Sequence, residues 1–329
     1  MIGVFGSGSW ATAVAKIVLE HPNTTINWWI REPDIIEGIK ETGHNPTYLS
    51  EIYFDTNQIN FSNDISEVIK KSDDLLFVVP SAFLDDSLQN ITPEMLEGKN
   101  IHSAIKGVVL QTNQIVADYF HDKFNIDYNR ISIISGPSHA EETAQQKLTY
   151  LTVASQNSQL ADYVAEFIQC RYVKTVVSDD IHGIEYAAVL KNIYALAAGI
   201  CKGLGYGDNL FAVLISNAMQ EMDIFINELH PMDYRQLERF PYLGDLLVTA
   251  YSQHSRNRTF GAMIGFGYSV KGAQLEMKMI AEGYYATKCI EKIREKLGIS
   301  MPIVEATYKI LYEGLSARRV MGELLKNLK

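Results

Sequence analysis

Residues 2–16 read IGVFGSGSWATAVAK, a short apolar run followed by a glycine turn and a helix-like segment. In this Gly-x-Gly-x-x-Ala turn, Gly6 permits the tight bend and Gly8 lets the backbone approach a pyrophosphate. Small Ala11 permits close helix–strand packing, while the amides at the helix N-terminus face the phosphates. Because a strand precedes the turn and a helix follows it, the stretch favours a dinucleotide-binding unit over an ordinary glycine turn.

Short apolar runs continue to alternate with helix-like segments, which predicts an α/β fold with a parallel, doubly wound sheet. The candidate strands are residues 2–5, 26–30, 75–79, 101–104, 131–135 and 151–154. From about residue 179 the pattern changes to long helical stretches, at residues 184–199, 209–229 and 271–297. We therefore predict a dinucleotide-binding domain over residues 1–178 and an all-helical C-terminal domain over residues 179–329.

The second candidate strand is followed by Arg31, where an acidic residue commonly holds the ribose of NAD. Arg31 is suited to a 2′-phosphate, which favours NADP(H), whereas the adjacent Glu32 keeps NAD(H) open. A solvated surface arginine is the alternative. The cofactor is therefore predicted to be NAD(H) or NADP(H), with the choice left open.

Composition excludes several classes of protein. A net charge of -10 over 329 residues argues against coating nucleic acid or an anionic membrane. The three cysteines form no Cys-x-x-Cys pair and the histidines no metal-ligand spacing, so no metal is expected. No uncharged run approaches the roughly 20 residues of a membrane span, and the first strand leaves no room for a signal peptide. These features predict a cytoplasmic protein without an integral membrane segment.

Polar groups follow two later strands of the predicted sheet. Lys106 follows residues 101–104, and Gly136-Pro137-Ser138 follows residues 131–135. Strand carboxyl ends form the ligand crevice of an open α/β sheet, so Lys106 is expected to hold a carbonyl or phosphate oxygen there. Ser138 either faces the substrate and nicotinamide or only caps a helix, with Glu141 three residues on.

Lys191 is the only charged residue in the apolar helical stretch 186–200. The ammonium of Lys191 either reaches solvent along its extended side chain or is buried in the core for a functional role. In the second case, desolvation and cationic neighbours would lower its pKa and let it exchange a proton with a substrate oxygen during hydride transfer.

Two further segments of the helical half carry polar groups. Ser255-Arg256-Asn257-Arg258 suits an oxyanion-rich ligand, because arginine binds phosphate through two parallel hydrogen bonds. A solvated charge run is the alternative. Asp245 either orients or balances Lys191, or is only a helix N-cap.

Together these motifs resemble the bacterial-type NAD(P)-dependent glycerol-3-phosphate dehydrogenase family over essentially the whole chain. The matching segments are residues 6–10, 106–107, 136–142, 190–192, 205–209, 244–246, 255–258 and 280–283. The resemblance implies a Rossmann domain that carries the cofactor and a helical domain that completes the substrate pocket. It also implies reversible reduction of dihydroxyacetone phosphate to sn-glycerol 3-phosphate, which supplies glycerophospholipid synthesis.

The resemblance also implies roles for individual residues. Lys191 is the proton donor or acceptor, assisted by Lys106 and Asp245. The implied substrate contacts are Lys106, Gly136, Ser138, Lys191, Asp245, Ser255, Arg256 and Asn257. The implied cofactor contacts are Gly6, Gly8, Ser9, Trp10, Arg31, Lys106, Ala140, Arg256, Ile280 and Glu282. Two positions depart from the family pattern: Ala11 replaces the usual third glycine, and His139 replaces a common aromatic residue.

Two other functions remain as alternatives. Another hydroxyacid or sugar-phosphate dehydrogenase would share the Rossmann domain, the helical domain and a catalytic lysine. A noncatalytic nucleotide sensor would use the glycine turn, but it leaves Lys191 and residues 255–258 unexplained. A homodimer is expected only because helical domains often pair.

Overall fold

The computed structural model describes residues 1–277 and 281–328. The chain forms two compact units, one over residues 1–184 and one from Glu185 onward. The sequence places the division after residue 178, where the last strand ends.

The first unit is built on an eight-stranded sheet with the order β3-β2-β1-β4-β5-β6-β7-β8. Its strands are β1 Ile2–Phe5, β2 Ile26–Trp29, β3 Ile59–Ser62, β4 Asp74–Phe77, β5 Asn100–Ser103, β6 Ile131–Ser135, β7 Thr149–Ala154 and β8 Val173–Ser178. Neighbouring strands are parallel except β6 and β7, which are antiparallel. The sheet is thus mostly parallel, and the one antiparallel pair arises because the connection from β6 to β7 contains only a short helix and no full crossover.

Seven helices accompany the strands of this unit. They are α1 Ser9–Leu19, α2 Pro33–Thr42, α3 Ile65–Lys71, α4 Leu84–Ser87, α5 Val116–Phe124, α6 Ala140–Ala144 and α7 Ser158–Ile168. The strands β1, β2 and β4 are buried along their whole length, as expected for parallel strands covered on both faces. Their side chains pack with those of α1 in a core that includes Val4, Ile17 and Trp28. The predicted doubly wound α/β domain is confirmed.

Two strands were not predicted, and both lie at the edges of the sheet. In β3 only Ile59 is buried, and in β8 only Val173 is buried. An edge strand need not form a continuous apolar run, so hydrophobic patterning alone misses it. The β-branched residues of β8, three valines and a threonine, were the available indication of a strand.

The second unit is helical in the part that the structure describes. Its helices are α8 Ile181–Gly203, which begins in the last residues of the first unit, α9 Asp208–Leu229, α10 Asp245–Tyr251, α11 Arg256–Gly265, α12 Val270–Glu276, α13 Glu282–Leu297, α14 Pro302–Leu311 and α15 Ala317–Leu324. The helical C-terminal domain is confirmed, but the predicted single helix over residues 271–297 is wrong, because α12 ends at Glu276 and α13 begins at Glu282. Among the residues that the structure describes, one helix, α8, is long and apolar enough to span a membrane, yet its apolar window is completely buried in the protein. It is a core helix.

The helices α8 and α11 cross with their backbones in contact. The crossing uses Gly199 and Gly203 on α8, and Gly261 and Gly265 on α11. A Cβ atom at Gly261 would overlap the carbonyl oxygen of Leu196, and the other three glycines face backbone atoms of the opposite helix in the same way. This crossing holds the segment of α8 that carries Lys191 against the start of α11.

Candidate active site

The glycine turn after β1 is fixed to the neighbouring strand. Gly6 has a φ of 135°, and a Cβ atom there would lie 2.9 Å from the carbonyl oxygen of Val78. Its amide donates to the carbonyl of Trp29 at 3.1 Å, and its carbonyl accepts from the indole Nε1 of Trp28 at 2.7 Å. The strained backbone and the lack of space both require glycine at this position.

The space next to Gly8 is open, since a Cβ atom there would have no described neighbour within 4 Å. Gly8 caps α1 with an extended backbone, and half-buried Ser9 and Trp10 form the first turn of that helix. The first turn contains no acidic side chain that would neutralise the positive end of the helix, and its first amides have no acceptor within the helix. These features fit the pyrophosphate of a dinucleotide. Ala11 is fully buried beneath the turn.

A buried asparagine supports the same turn. Asn45 donates through Nδ2 to the carbonyl of Ser7 at 3.2 Å and to the hydroxyl of Thr12 at 2.9 Å. Its Oδ1 accepts from the amides of Thr47 and Tyr48. Sequence reasoning missed Asn45, although the Asn-Pro pair that it forms with the next residue marks a turn.

Lys106 lies between the glycine turn and the loop after β6. Its Nζ donates to the carbonyl of Gly136 at 2.8 Å and to the hydroxyl of Ser138 at 3.1 Å, and it lies 5.7 Å from the ring centroid of Trp10. Gly136 has a φ of 131°, and a Cβ atom there would lie 2.8 Å from the carbonyl of Tyr150. The ends of β1, β5 and β6 thus bring four predicted site residues together.

The capping role considered for Ser138 is wrong. His139 is the residue before α6, and no side-chain hydrogen bond caps this helix. The hydroxyl of Ser138 instead donates to the carbonyl of Gly136 at 3.0 Å while it accepts from Lys106. Ala140, a predicted cofactor contact, is the half-buried first residue of α6.

The second unit contains a buried ion pair between α8 and α10. Nζ of Lys191 contacts Oδ1 of Asp245, and these residues are only 4% and 1% exposed. The snorkelling alternative for Lys191 is therefore wrong. Asp245 is the first residue of α10 rather than its N-cap, and a π-helical turn over Phe240–Gly244 leads into it. Two opposite charges removed from water are tolerated only when they are well paired, and removal of one is strongly destabilising.

Beside Lys191, two asparagines join three helices. Oδ1 of Asn192 accepts from Nδ2 of Asn257 at 2.8 Å, and Oδ1 of Asn257 accepts from the amide of Gly283 at 2.8 Å. This chain of hydrogen bonds fixes the starts of α11 and α13 relative to the middle of α8. Glu282, a predicted cofactor contact, is the first residue of α13 and is half-buried.

The segment 255–258 is only partly exposed. Ser255 is buried and caps α11 by accepting from the amide of Arg258 at 3.3 Å, and Asn257 is buried as well. A solvated charge run is thus wrong for these two residues, whereas Arg256 is exposed. Ile280, another predicted cofactor contact, lies outside the described residues.

The fold and the glycine turn define a dinucleotide-binding protein of the Rossmann class with a separate helical unit. Two protein-family profiles match the chain: residues 1–161 match the NAD-dependent glycerol-3-phosphate dehydrogenase N-terminus, and residues 180–322 match its C-terminus. The chain belongs to the NAD-dependent glycerol-3-phosphate dehydrogenase family.

Individual relatives resemble the chain over nearly its whole length. A glycerol-3-phosphate dehydrogenase [NAD(P)+] of Agathobacter rectalis is 33% identical, covering 98% of this chain and 95% of its own length. One from Staphylococcus aureus is 31% identical, covering 100% of this chain and 98% of its own. The crystal structure of glycerol-3-phosphate dehydrogenase from Coxiella burnetii has a TM-score of 0.91 at 29% identity, covering 99% of this chain and 98% of its own.

Proposed function

We propose that this protein reversibly reduces dihydroxyacetone phosphate to sn-glycerol 3-phosphate with NADH or NADPH. The observation that carries the proposal is the buried Lys191–Asp245 pair in a chain of this family. An ammonium held in the core beside a carboxylate is suited to proton transfer, because nearby charge and burial control the affinity of an ammonium for a proton. The alternative of another hydroxyacid dehydrogenase is not favoured by the family match.

The reaction transfers a hydride and a proton, and these come from different groups. A bound reduced nicotinamide supplies a hydride to the ketone carbon of the substrate. Lys191 gives a proton to the developing alkoxide oxygen and recovers it in the reverse direction, while Asp245 holds the ammonium in position. Reduction thus consumes one hydride and one proton and forms the secondary alcohol.

The remaining predicted residues bind and orient the substrate. Lys106 is fixed by the Gly136 carbonyl and the Ser138 hydroxyl, so its ammonium can hold a substrate oxygen without a large loss of side-chain entropy. Exposed Arg256 is suited to the phosphate, which it can bind through two parallel hydrogen bonds. Asn257, held by Asn192 and Gly283, orients the neighbouring backbone.

The cellular context is also a proposal. A cytoplasmic location agrees with the burial of α8 and with the net charge of -10, which disfavours an anionic membrane surface. In that compartment the product would supply glycerophospholipid synthesis. A homodimer is retained as a proposal that follows from the helical second unit.

Absorbance of the reduced nicotinamide tests the function when purified protein is mixed with dihydroxyacetone phosphate. Wild type should oxidise the cofactor. Lys191→Arg keeps a positive charge near Asp245 but cannot release its proton, so turnover should fall by about 10²- to 10⁴-fold. Lys202→Arg, an exposed lysine at the end of the same helix, is the matched control and should behave as wild type.

The fluorescence of bound NADH provides the binding control for both variants. A folded wild type that binds NADH but does not oxidise it with dihydroxyacetone phosphate would contradict the proposal and favour the nucleotide sensor. Full activity of Lys191→Arg would remove Lys191 from its proton-transfer role.

A further inference from the structure

The residues just after β2 place a carboxylate beside the glycine turn. Glu32 precedes α2, and its Oε2 accepts from the hydroxyl of Ser7 at 2.8 Å. Ser7 lies between the two glycines of the turn, so Glu32 is tied to the loop that faces the pyrophosphate. In dinucleotide-binding sheets, the end of the second strand is the place where the adenosine ribose is recognised.

Arg31 is bound to this carboxylate. Its Nε and Nη2 donate to Oε1 of Glu32 at 3.0 Å and 2.8 Å, and its guanidinium lies 5.7 Å from the ring centroid of Phe83. The charge of Arg31 is thereby neutralised by its neighbour. The Nε–Nη2 edge of the guanidinium is occupied by Glu32, so a 2′-phosphate could bind this edge only if Arg31 left Glu32.

The carboxylate itself remains charged and retains capacity to accept hydrogen bonds. Partial burial raises the pKa of Glu32, but hydrogen bonds from Ser7 and Arg31 and the charge of Arg31 lower the pKa more, so it lies below the ordinary value. The carboxylate accepts from Ser7 through Oε2 and from Arg31 through Oε1, and its side chain is half-buried, so it is in part accessible to a ligand beside the turn. An accessible carboxylate can accept from a ribose hydroxyl, and its negative charge repels a 2′-phosphate.

We propose that Glu32 makes this protein selective for NADH over NADPH, with Arg31 as the residue that positions the carboxylate. The inference rests on the proposed function only in that the chain binds a nicotinamide dinucleotide. It reverses the role that Arg31 has in the sequence interpretation, where the guanidinium was suited to a 2′-phosphate. The hydrogen bond from Ser7 to Glu32 connects the selective carboxylate to the turn proposed to hold the pyrophosphate.

Calorimetry with ADP-ribose and with its 2′-phosphorylated analogue tests the selectivity without nicotinamide or turnover. Wild type should bind ADP-ribose at least about tenfold more tightly than the 2′-phosphorylated analogue. Glu32→Gln keeps the size of the side chain, removes its charge and releases Arg31, so the preference should shrink to about threefold or less. Glu37→Gln makes the same change at an exposed position of α2 and should leave the preference intact.

The outcomes separate this inference from the proposed function. Equal or tighter binding of the 2′-phosphorylated analogue by wild type would overturn the inference, even if dihydroxyacetone phosphate is reduced. An unchanged preference in Glu32→Gln would also overturn it, provided that thermal unfolding shows an intact protein. The predicted preference in a protein that fails to reduce dihydroxyacetone phosphate would support the inference and contradict the proposed function.

Discussion

The glycine turn after β1 and the crossing of α8 with α11 both depend on glycine, but the space around their glycines differs. At Gly8 a Cβ atom would point into open space. At Gly261 and Gly265 it would overlap the backbone of α8. At Gly8, which precedes the N-terminus of a helix, the empty space leaves room for a ligand, whereas the filled space at Gly261 and Gly265 shows packing. Stability and cofactor binding should therefore depend on different glycines.

The largest effect is expected at the helix crossing. Gly261→Ala should lower the free energy of unfolding by about 3 kcal/mol or more, because the new methyl group meets backbone that cannot move aside easily. Chemical denaturation measures this change. Gly322→Ala in α15 is the matched control, since a Cβ atom there meets nothing within 4 Å. The control should be stabilised by up to about 1 kcal/mol through better helix propensity. An equal loss of unfolding free energy in both variants would contradict the distinction between glycines with filled and with empty surroundings.

A buried polar cluster of the first unit gives the next effect. Asp74 begins the central strand β4, at the end of the strands opposite the glycine turn, and accepts from His102 at 3.1 Å, Asn100 at 2.9 Å and Tyr163 at 2.9 Å. Burial raises the pKa of Asp74, but the hydrogen bonds from His102, Asn100 and Tyr163 lower it to about 2. Because the folded pKa lies below the unfolded value of about 3.9, this stabilisation is complete above that value and is lost as the pH falls to about 2.

Asp74→Asn should remove that part of the pH dependence. The stability advantage of wild type over the variant should shrink by about 2 kcal/mol between about pH 5 and about pH 2. Urea titrations across this range measure it. NADH binding near neutral pH should be unaffected, since the cluster lies away from the turn. If both proteins lose the same free energy of unfolding as the pH falls, Asp74 is not the source of the pH dependence.

The smallest change in stability, together with a clear change in binding, is expected at the turn. Gly8 has a φ of -70°, which alanine adopts without strain, so Gly8→Ala should lower the free energy of unfolding by no more than about 1 kcal/mol, the cost of alanine at an N-cap. Its methyl group would occupy the space assigned to the pyrophosphate, and NADH affinity should fall about tenfold or more. Unchanged affinity would contradict the assignment of that space to the cofactor.

Much of the fold was predictable because its central strands are continuous apolar runs and its first helix follows a glycine turn. The edge strands β3 and β8 were not predictable from that pattern, since each buries only its first residue. The end of α12 was also missed, because no proline or glycine interrupts residues 273–282. The start of α13 depends instead on tertiary contact, as Gly283 packs against the backbone of Asn192.

The candidate site was predictable where a residue type is unusual for its position. A lone lysine in an apolar helix singled out Lys191, but only the structure shows that its partner is Asp245 rather than solvent. The supporting roles of Asn45 and Asn192 could not be predicted, because they depend on hydrogen bonds between residues far apart in the chain. The catalytic and binding roles of the predicted site residues stay predictions.

Transfer of isotope from cofactor to product tests the central claim most directly. NADH that carries deuterium at both hydrogens of its reduced ring carbon is incubated with dihydroxyacetone phosphate, and the product is analysed by NMR. We expect wild type to form sn-glycerol 3-phosphate with deuterium on C2, the former ketone carbon, and Lys191→Arg to form almost none in the same time. A folded wild type that binds NADH and yields no labelled glycerol 3-phosphate would contradict it.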